Sequence, residues 1–92
     1  MAAYSQQEVQ ERLAGLPGWQ ADGDSIRRVY TFNDFIDAIG FVTRVALLAQ
    51  AADHHPDIDI RYNRVSLVLS THSEGGVTEK DFALATAIDA RL

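Results

Sequence analysis

Three histidines, His54, His55 and His72, are the residues of this chain best suited to proton chemistry, and there is no cysteine to compete with them. All three fall at one hairpin. Ile58, Ile60 and Tyr62 alternate with Asp57, Asp59 and Arg61, and Val65, Leu67 and Leu69 alternate with Ser66, Val68 and Ser70, which predicts two amphipathic strands. His54 and His55 stand just before the first strand and His72 just after the second. With Asn63-Arg64 as a two-residue turn, Tyr62 faces Val65, Ile60 faces Leu67, Ile58 faces Leu69, and His55 arrives opposite His72. Pro56 lacks an amide hydrogen, so the ladder frays beside the histidines. Free imidazole titrates near neutrality, so converging histidines suit general acid–base catalysis.

Each histidine also has a structural reading. A histidine beside proline commonly ends a helix, where its cation meets the last carbonyls favourably, and His72 reads equally as a turn residue. Spacing alone leaves these readings side by side. A three-histidine metal site is a third option, ranked below catalysis because neighbours in extended chain point to opposite sides. Asp53 either orients an imidazole or ends a helix. Asp81 is most simply the N3 acid of a capping box opened by Thr78. Trp19 and Tyr62 read as core or half-buried sheet residues, or as a lid over a flat ring. No serine sits in a nucleophile elbow, and Gly75-Gly76 opens no phosphate loop.

Positioning these groups requires the rest of the chain. Ser5 and Glu8 form a capping box, Val9, Leu13 and Leu16 recur at helical spacing, and Gly15 and Pro17 stop that helix. Trp19 to Ala21, the turn Asp22-Gly23-Asp24 and the stretch from Ser25 to Phe32 read as a hairpin. Asn33 caps a helix running to about Ala52, with one stripe through Phe35, Ile39, Val42, Ala46 and Ala49 and another through Phe41, Val45, Leu48 and Ala52. Two stripes call for burial on two sides, one against a sheet and one against a helix of this chain or of a second subunit. The His hairpin follows, and a last helix from Thr78 carries Phe82, Ala85, Ile88 and Leu92. The order α-β-β-α-β-β-α predicts an α+β fold, a four-stranded antiparallel sheet with three helices on one face.

Ninety-two residues form one domain, 1–92, whose small size makes association an expectation. Thirteen acidic against eight basic residues give a net charge of −5, the wrong sign for gripping phosphate backbones, so no direct nucleic-acid binding is expected. The N-terminus lacks the marks of a signal peptide, and no run approaches the roughly 20 apolar residues of a membrane span. A cytoplasmic protein with no membrane contact is expected.

Asp53-His54-His55-Pro56, then Tyr62, His72 and Asp81 at intervals of five, nine and eight intervening residues, resembles the pterin-4a-carbinolamine dehydratase family. Gly40-Phe41-Val42-Thr43-Arg44-Val45-Ala46 looks like the family's central helix and Ser70-Thr71-His72 like its second-strand ending. One departure is Gln50, four residues before His54, at a position usually charged in the family. The resemblance implies a dehydratase that converts 4a-hydroxytetrahydropterin to quinonoid dihydropterin and water, in recycling the cofactor of aromatic amino acid hydroxylases. It implies catalysis by His54, His55 and His72, with substrate contacts or support from Asp53, Pro56, Ser70, Thr71 and Asp81. Neither a metal nor an organic cofactor is implied. The implied partners are the pterin carbinolamine and further copies of the chain, as a homodimer or homotetramer. The alternative implied by some relatives is a non-catalytic dimerisation or transcriptional coactivator module working through its helix surface.

Overall fold

A computed structural model describes residues 2–92. The elements run α1 (Gln6–Leu13), β1 (Gln20–Asp22), β2 (Ser25–Thr31), α2 (Phe35–Ala52), β3 (Asp57–Arg61), β4 (Arg64–Leu69), a 3-10 turn (His72–Glu74) and α3 (Glu79–Asp89). Each helix starts where a short polar side chain satisfies free amides. Ser5 and Glu8 cap α1 reciprocally, Thr78 and Asp81 do the same for α3, and Asp34 accepts from the Asp37 amide at the start of α2. The expected cap Asn33 is therefore displaced by its neighbour Asp34.

The four strands form one antiparallel sheet in the order β1-β2-β4-β3, so two hairpins join along β2 and β4. Ile26 and Tyr30 of β2 and Val65, Leu67 and Leu69 of β4 point to one face, where they meet Ala38, Phe41, Val45 and Ala49 of α2 and Phe82, Leu84, Ala85 and Ile88 of α3 in one core. Leu84 takes a core place and Leu92 lies exposed beyond α3, contrary to the sequence reading. The buried stripe of α2 follows residues 38, 41, 45 and 49, with Phe35, Ile36 and Leu47 left outside. By length and composition this helix, with a mean hydropathy of 1.5, would also pass for a membrane span, which the sequence reading had not anticipated. Its buried stripe is occupied by the chain's own core.

The register of the second hairpin differs from the expected one. Ile58 pairs with Leu67, Ile60 with Val65 and Arg61 with Arg64, so the loop is Tyr62-Asn63 rather than Asn63-Arg64. The cause lies in the neighbouring strand. Asn63 exchanges with Phe32, its carbonyl accepting from the Phe32 amide at 2.8 Å and its side-chain amide donating to the Phe32 carbonyl at 2.9 Å. That prolongs the β2–β4 pairing past Thr31–Arg64, and the reversal is left to Tyr62, which takes a left-handed φ of 51° and is 65 % exposed. The shift is two residues, so the inward faces are conserved while His55 no longer comes opposite His72.

The far end of α3 is held by a second acid. Asp89 accepts from Trp19 Nε1 at 2.9 Å, from Arg28 at 3.0 Å and from the Tyr30 hydroxyl at 2.6 Å. Burial, reinforced by the bond to Asp89 and its charge, holds the Tyr30 phenol well above its ordinary range. Gly18 completes this clamp: its φ is 93°, and a Cβ there would lie 2.8 Å from Arg28 Nε. Asp89→Ala leaves three donors without their acceptor, an expected loss of about 3 kcal/mol or more. In a chain of this size that lowers Tm by roughly 12–24 °C, measurable by calorimetry.

Candidate active site

The turn that ends α2 sets the first two histidines. The Asp53 amide donates to the carbonyl of Gln50 and the His54 amide to that of Ala49 at 3.1 Å, the paired closure that usually carries glycine. Asp53 fills the left-handed position with a φ of 51°, which acidic and amide residues tolerate better than most. It ends the helix, and its carboxylate makes no hydrogen bond or ion pair with any of the described residues. The closure turns the chain so that His54 faces inward and His55 stays exposed, with half-buried Pro56 leading into β3.

His54 meets α3. Its Nε2 lies 2.5 Å from Asp81 Oδ1, and Asp81 is fully buried. The other carboxylate oxygen accepts from Thr71 Oγ1 and from the Thr78 amide, both at 2.9 Å. Because Thr71 spends its only hydroxyl proton on Asp81, the 2.7 Å contact between the Thr71 and Thr78 hydroxyls runs with Thr78 as donor. Thr78 Oγ1 in turn accepts from the Lys80 amide at 3.2 Å. Every donor in the chain points towards Asp81, so the carboxylate is the acceptor and His54 carries the hydrogen on Nε2, leaving Nδ1 for a ligand. The same carboxylate stands as a counter-ion within reach of the ring.

His55 is tied differently. Its Nε2 lies 2.9 Å from Oε1 of Gln50, an uncharged amide on the last turn of α2. His72 opens the 3-10 turn, exposed, and its ring makes no hydrogen bond to any of the described residues. The turn is closed by a bridge between Thr71 and Gly76, and Gly75 provides the left-handed φ of 71° that lets it close. Thr71 thus joins His72 in sequence to Asp81 and His54 in space. Ser70, a site residue by the family resemblance, donates its hydroxyl to the Asp24 carbonyl at 2.7 Å and braces the β1–β2 turn.

Beside His54 lies an apolar hollow of about 220 Å³ between α2 and α3, lined by Leu48, Ala52, Ala83, Leu84 and Ala87 with Lys80 at its edge. Sequence reasoning found His54, Asp81 and Thr71 but not their mutual contacts, and it missed Lys80 and the bond between Gln50 and His55. Among the described residues no three His, Asp or Glu side chains gather as metal ligands would.

The arrangement matches known proteins along nearly the whole chain. The family model "Pterin 4 alpha carbinolamine dehydratase" matches residues 2–91. A protein of Mycobacteroides abscessus is 54 % identical over 92 residues, covering 100 % of this chain and 98 % of its own. One of Chloroflexus aurantiacus is 57 % identical over 89 residues, covering 97 % and 96 %. Both carry the name "Putative pterin-4-alpha-carbinolamine dehydratase". A crystal structure from Brucella melitensis, described as a transcriptional coactivator/pterin dehydratase, superposes with a TM-score of 0.91 at 44 % identity over 96 % of each chain. A pterin dehydratase-like protein described as a RuBisCO assembly factor in the alpha-carboxysome, at 20 % identity and a TM-score of 0.66 over 78 % of this chain and 83 % of its own, shares the fold.

Asp81 therefore has two separable duties, which two substitutions tell apart. Asp81→Ala removes the cap and strands Thr71 and Thr78, and is expected to lose about 2–4 kcal/mol in a thermal melt. Asp81→Asn keeps an acceptor for Thr71 and the Thr78 amide but presents an N–H₂ to His54. Most of the stability is retained, while nitrogen NMR of the ring shows its hydrogen moved from Nε2 to Nδ1.

Proposed function

The chain belongs to the pterin-4-alpha-carbinolamine dehydratase family, and from that membership we propose that it dehydrates 4a-hydroxytetrahydropterin to quinonoid dihydropterin by histidine acid–base catalysis. The observation that carries this reading is His54, backed by buried Asp81 and opening beside an apolar hollow wide enough for part of a flat heterocycle. The C4a–O bond breaks with its electron pair leaving on oxygen, a ring nitrogen closes a C=N bond as it gives up its proton, and the leaving hydroxide takes a proton to become water. One group must donate and one accept, with no net oxidation.

His54 is the donor to the leaving hydroxyl. His72, exposed and uncommitted, is the base for the ring N–H. His55 attends the hydroxyl when it lies on the other face of C4a. Thr71 and Asp81 hold His54, Asp53 and Pro56 shape the turn, and Ser70 supports the sheet at the site's edge. The reaction needs neither metal nor organic cofactor in this scheme, and the cytoplasm is its proposed setting.

Stopped-flow measurement of quinonoid dihydropterin formation from chemically generated carbinolamine tests the reading. Removing one acid–base group costs about 10²–10⁴-fold where nothing replaces it, and less here because the reaction also proceeds slowly without an enzyme. His54→Ala and His72→Ala are expected to lower kcat more than they raise KM, and His55→Ala to act more mildly. Folded variants that all keep the wild-type rate would sink the enzyme reading in favour of a helix-surface interaction module, as the coactivator description of the Brucella protein would have it.

Self-association is part of the same proposal. Ile36 is 79 % and Leu47 68 % exposed on the outer face of α2, and Phe35 51 %. A patch of this kind on a domain this small fits another copy of the chain, as homodimer or homotetramer. Sedimentation equilibrium at micromolar concentration should show species heavier than 10.1 kDa; a purely monomeric profile contradicts it.

A further inference from the structure

The two adjacent histidines are served by different partners. His54 has a buried carboxylate behind it, whereas His55 has the amide of Gln50. In this arrangement His55 Nε2–H donates to Gln50 Oε1, and the ring presents Nδ1 as a lone pair. An amide oxygen also accepts that hydrogen, more weakly than a carboxylate would, and adds no negative charge to stabilise a cation. It can also turn over and donate, which a carboxylate cannot.

Among the described residues no charged side chain pairs with His55 as a counter-ion. Asp53 and Asp57, the acids nearest along the chain, are exposed and neither is bonded to the ring, Asp57 standing at the first rung of β3. On α3, Asp81 is saturated by His54, Thr71 and Thr78, and Lys80, the nearest cation on that helix, lines the hollow on the His54 side.

We infer that Gln50 is the positioning residue of His55 and that, being an amide rather than an acid, it fixes the ring without supplying the counter-charge that Asp81 offers His54, so that proton donation to the leaving hydroxyl falls mainly to His54. This rests on the dehydratase reading and deepens it. C4a of the carbinolamine is a stereocentre, and its hydroxyl lies on one face of the ring or the other. A site whose two rings differ in proton-donating power turns over the two epimers at different rates, the faster being the one whose hydroxyl meets His54. Gln50 is thus a specificity-determining residue.

Gln50 is exposed, so its variants fold. Three proteins, wild type, Gln50→Glu and Gln50→Ala, are compared by the rate for each epimer, the pH profile of kcat/KM, and nitrogen NMR of the His55 ring. In Gln50→Glu the charge in hydrogen-bond contact favours the imidazolium, so the His55 titration and the alkaline limb for the slower epimer move up by about one pH unit or more. The epimer rate ratio then contracts towards one. In Gln50→Ala the ring loses its fixed hydrogen position, and kcat for the slower epimer falls about tenfold with KM little changed. A His55 ring signal identical in all three proteins overturns the inference, as does an epimer ratio unmoved by Gln50→Glu. The NMR arm needs no turnover: a wild-type protein without dehydratase activity overturns the functional reading, while the ring signals still decide the role of Gln50.

Discussion

The carboxylate of Asp81 is the constraint from which the site's geometry follows. A charge taken fully out of water costs several kcal/mol unless donors replace the lost hydration, and Asp81 has no exposed surface. Its donors come from three places: an imidazole at the end of α2, a hydroxyl at the end of β4, and the amide that begins α3. To satisfy one buried charge the chain must bring those three ends together. The histidine–carboxylate pair and the start of the last helix are therefore built on one side chain, and removing it loosens both.

The same helix is fixed at its other end by the same device. Asp89, two turns further along α3, gathers Trp19, Arg28 and Tyr30 from the first hairpin. With about 1.5 Å of rise per residue, the two acids stand roughly 12 Å apart along the axis. One anchors α3 to the β4 loop and the end of α2, the other to β2 and the segment after α1. An acid at a helix C-terminus opposes the peptide dipole, so Asp89 is retained against that cost by the three donors it collects.

What could be read from the sequence was local chemistry. The capping boxes at Ser5 and Thr78, the alternation in β4 and the order of elements all follow from neighbours within a few positions, and each is present, whereas β3, an edge strand, is exposed at all five positions and buries neither Ile58 nor Ile60. What escaped was decided at a distance. The hairpin turn moved because Asn63 pairs with Phe32, 31 residues away. Asn33 yielded to Asp34 because two good caps adjoined and only backbone geometry chooses between them. The histidines were brought into one region by the sequence reading, yet not into the right partnership: the expected meeting of His55 with His72 rested on a register two residues out, whereas the contact made is His54 with Asp81. The bond from Gln50 to His55 depends on Asp53 entering the left-handed region, which residue type permits but does not announce.

Helix α2 carries three demands at once, and their placement couples them. Its inner stripe uses small Ala38 and Ala49 beside Phe41 and Val45, which lets the helix lie close to the sheet. Its last turn holds both histidines, one through the backbone closure at Ala49 and Gln50 and one through the Gln50 side chain. Its outer face leaves Leu47 bare, and residues three apart on a helix are surface neighbours, so Leu47 and Gln50 share one patch. A partner seated over Leu47 would reach the group that orients His55. Covering that face would remove water from around the Gln50 amide and stiffen its bond to the ring, since a hydrogen bond is electrostatically stronger in a medium of lower dielectric. A contact made through the outer face of α2 and the hydrogen bond that orients His55 would thus meet on one helical turn.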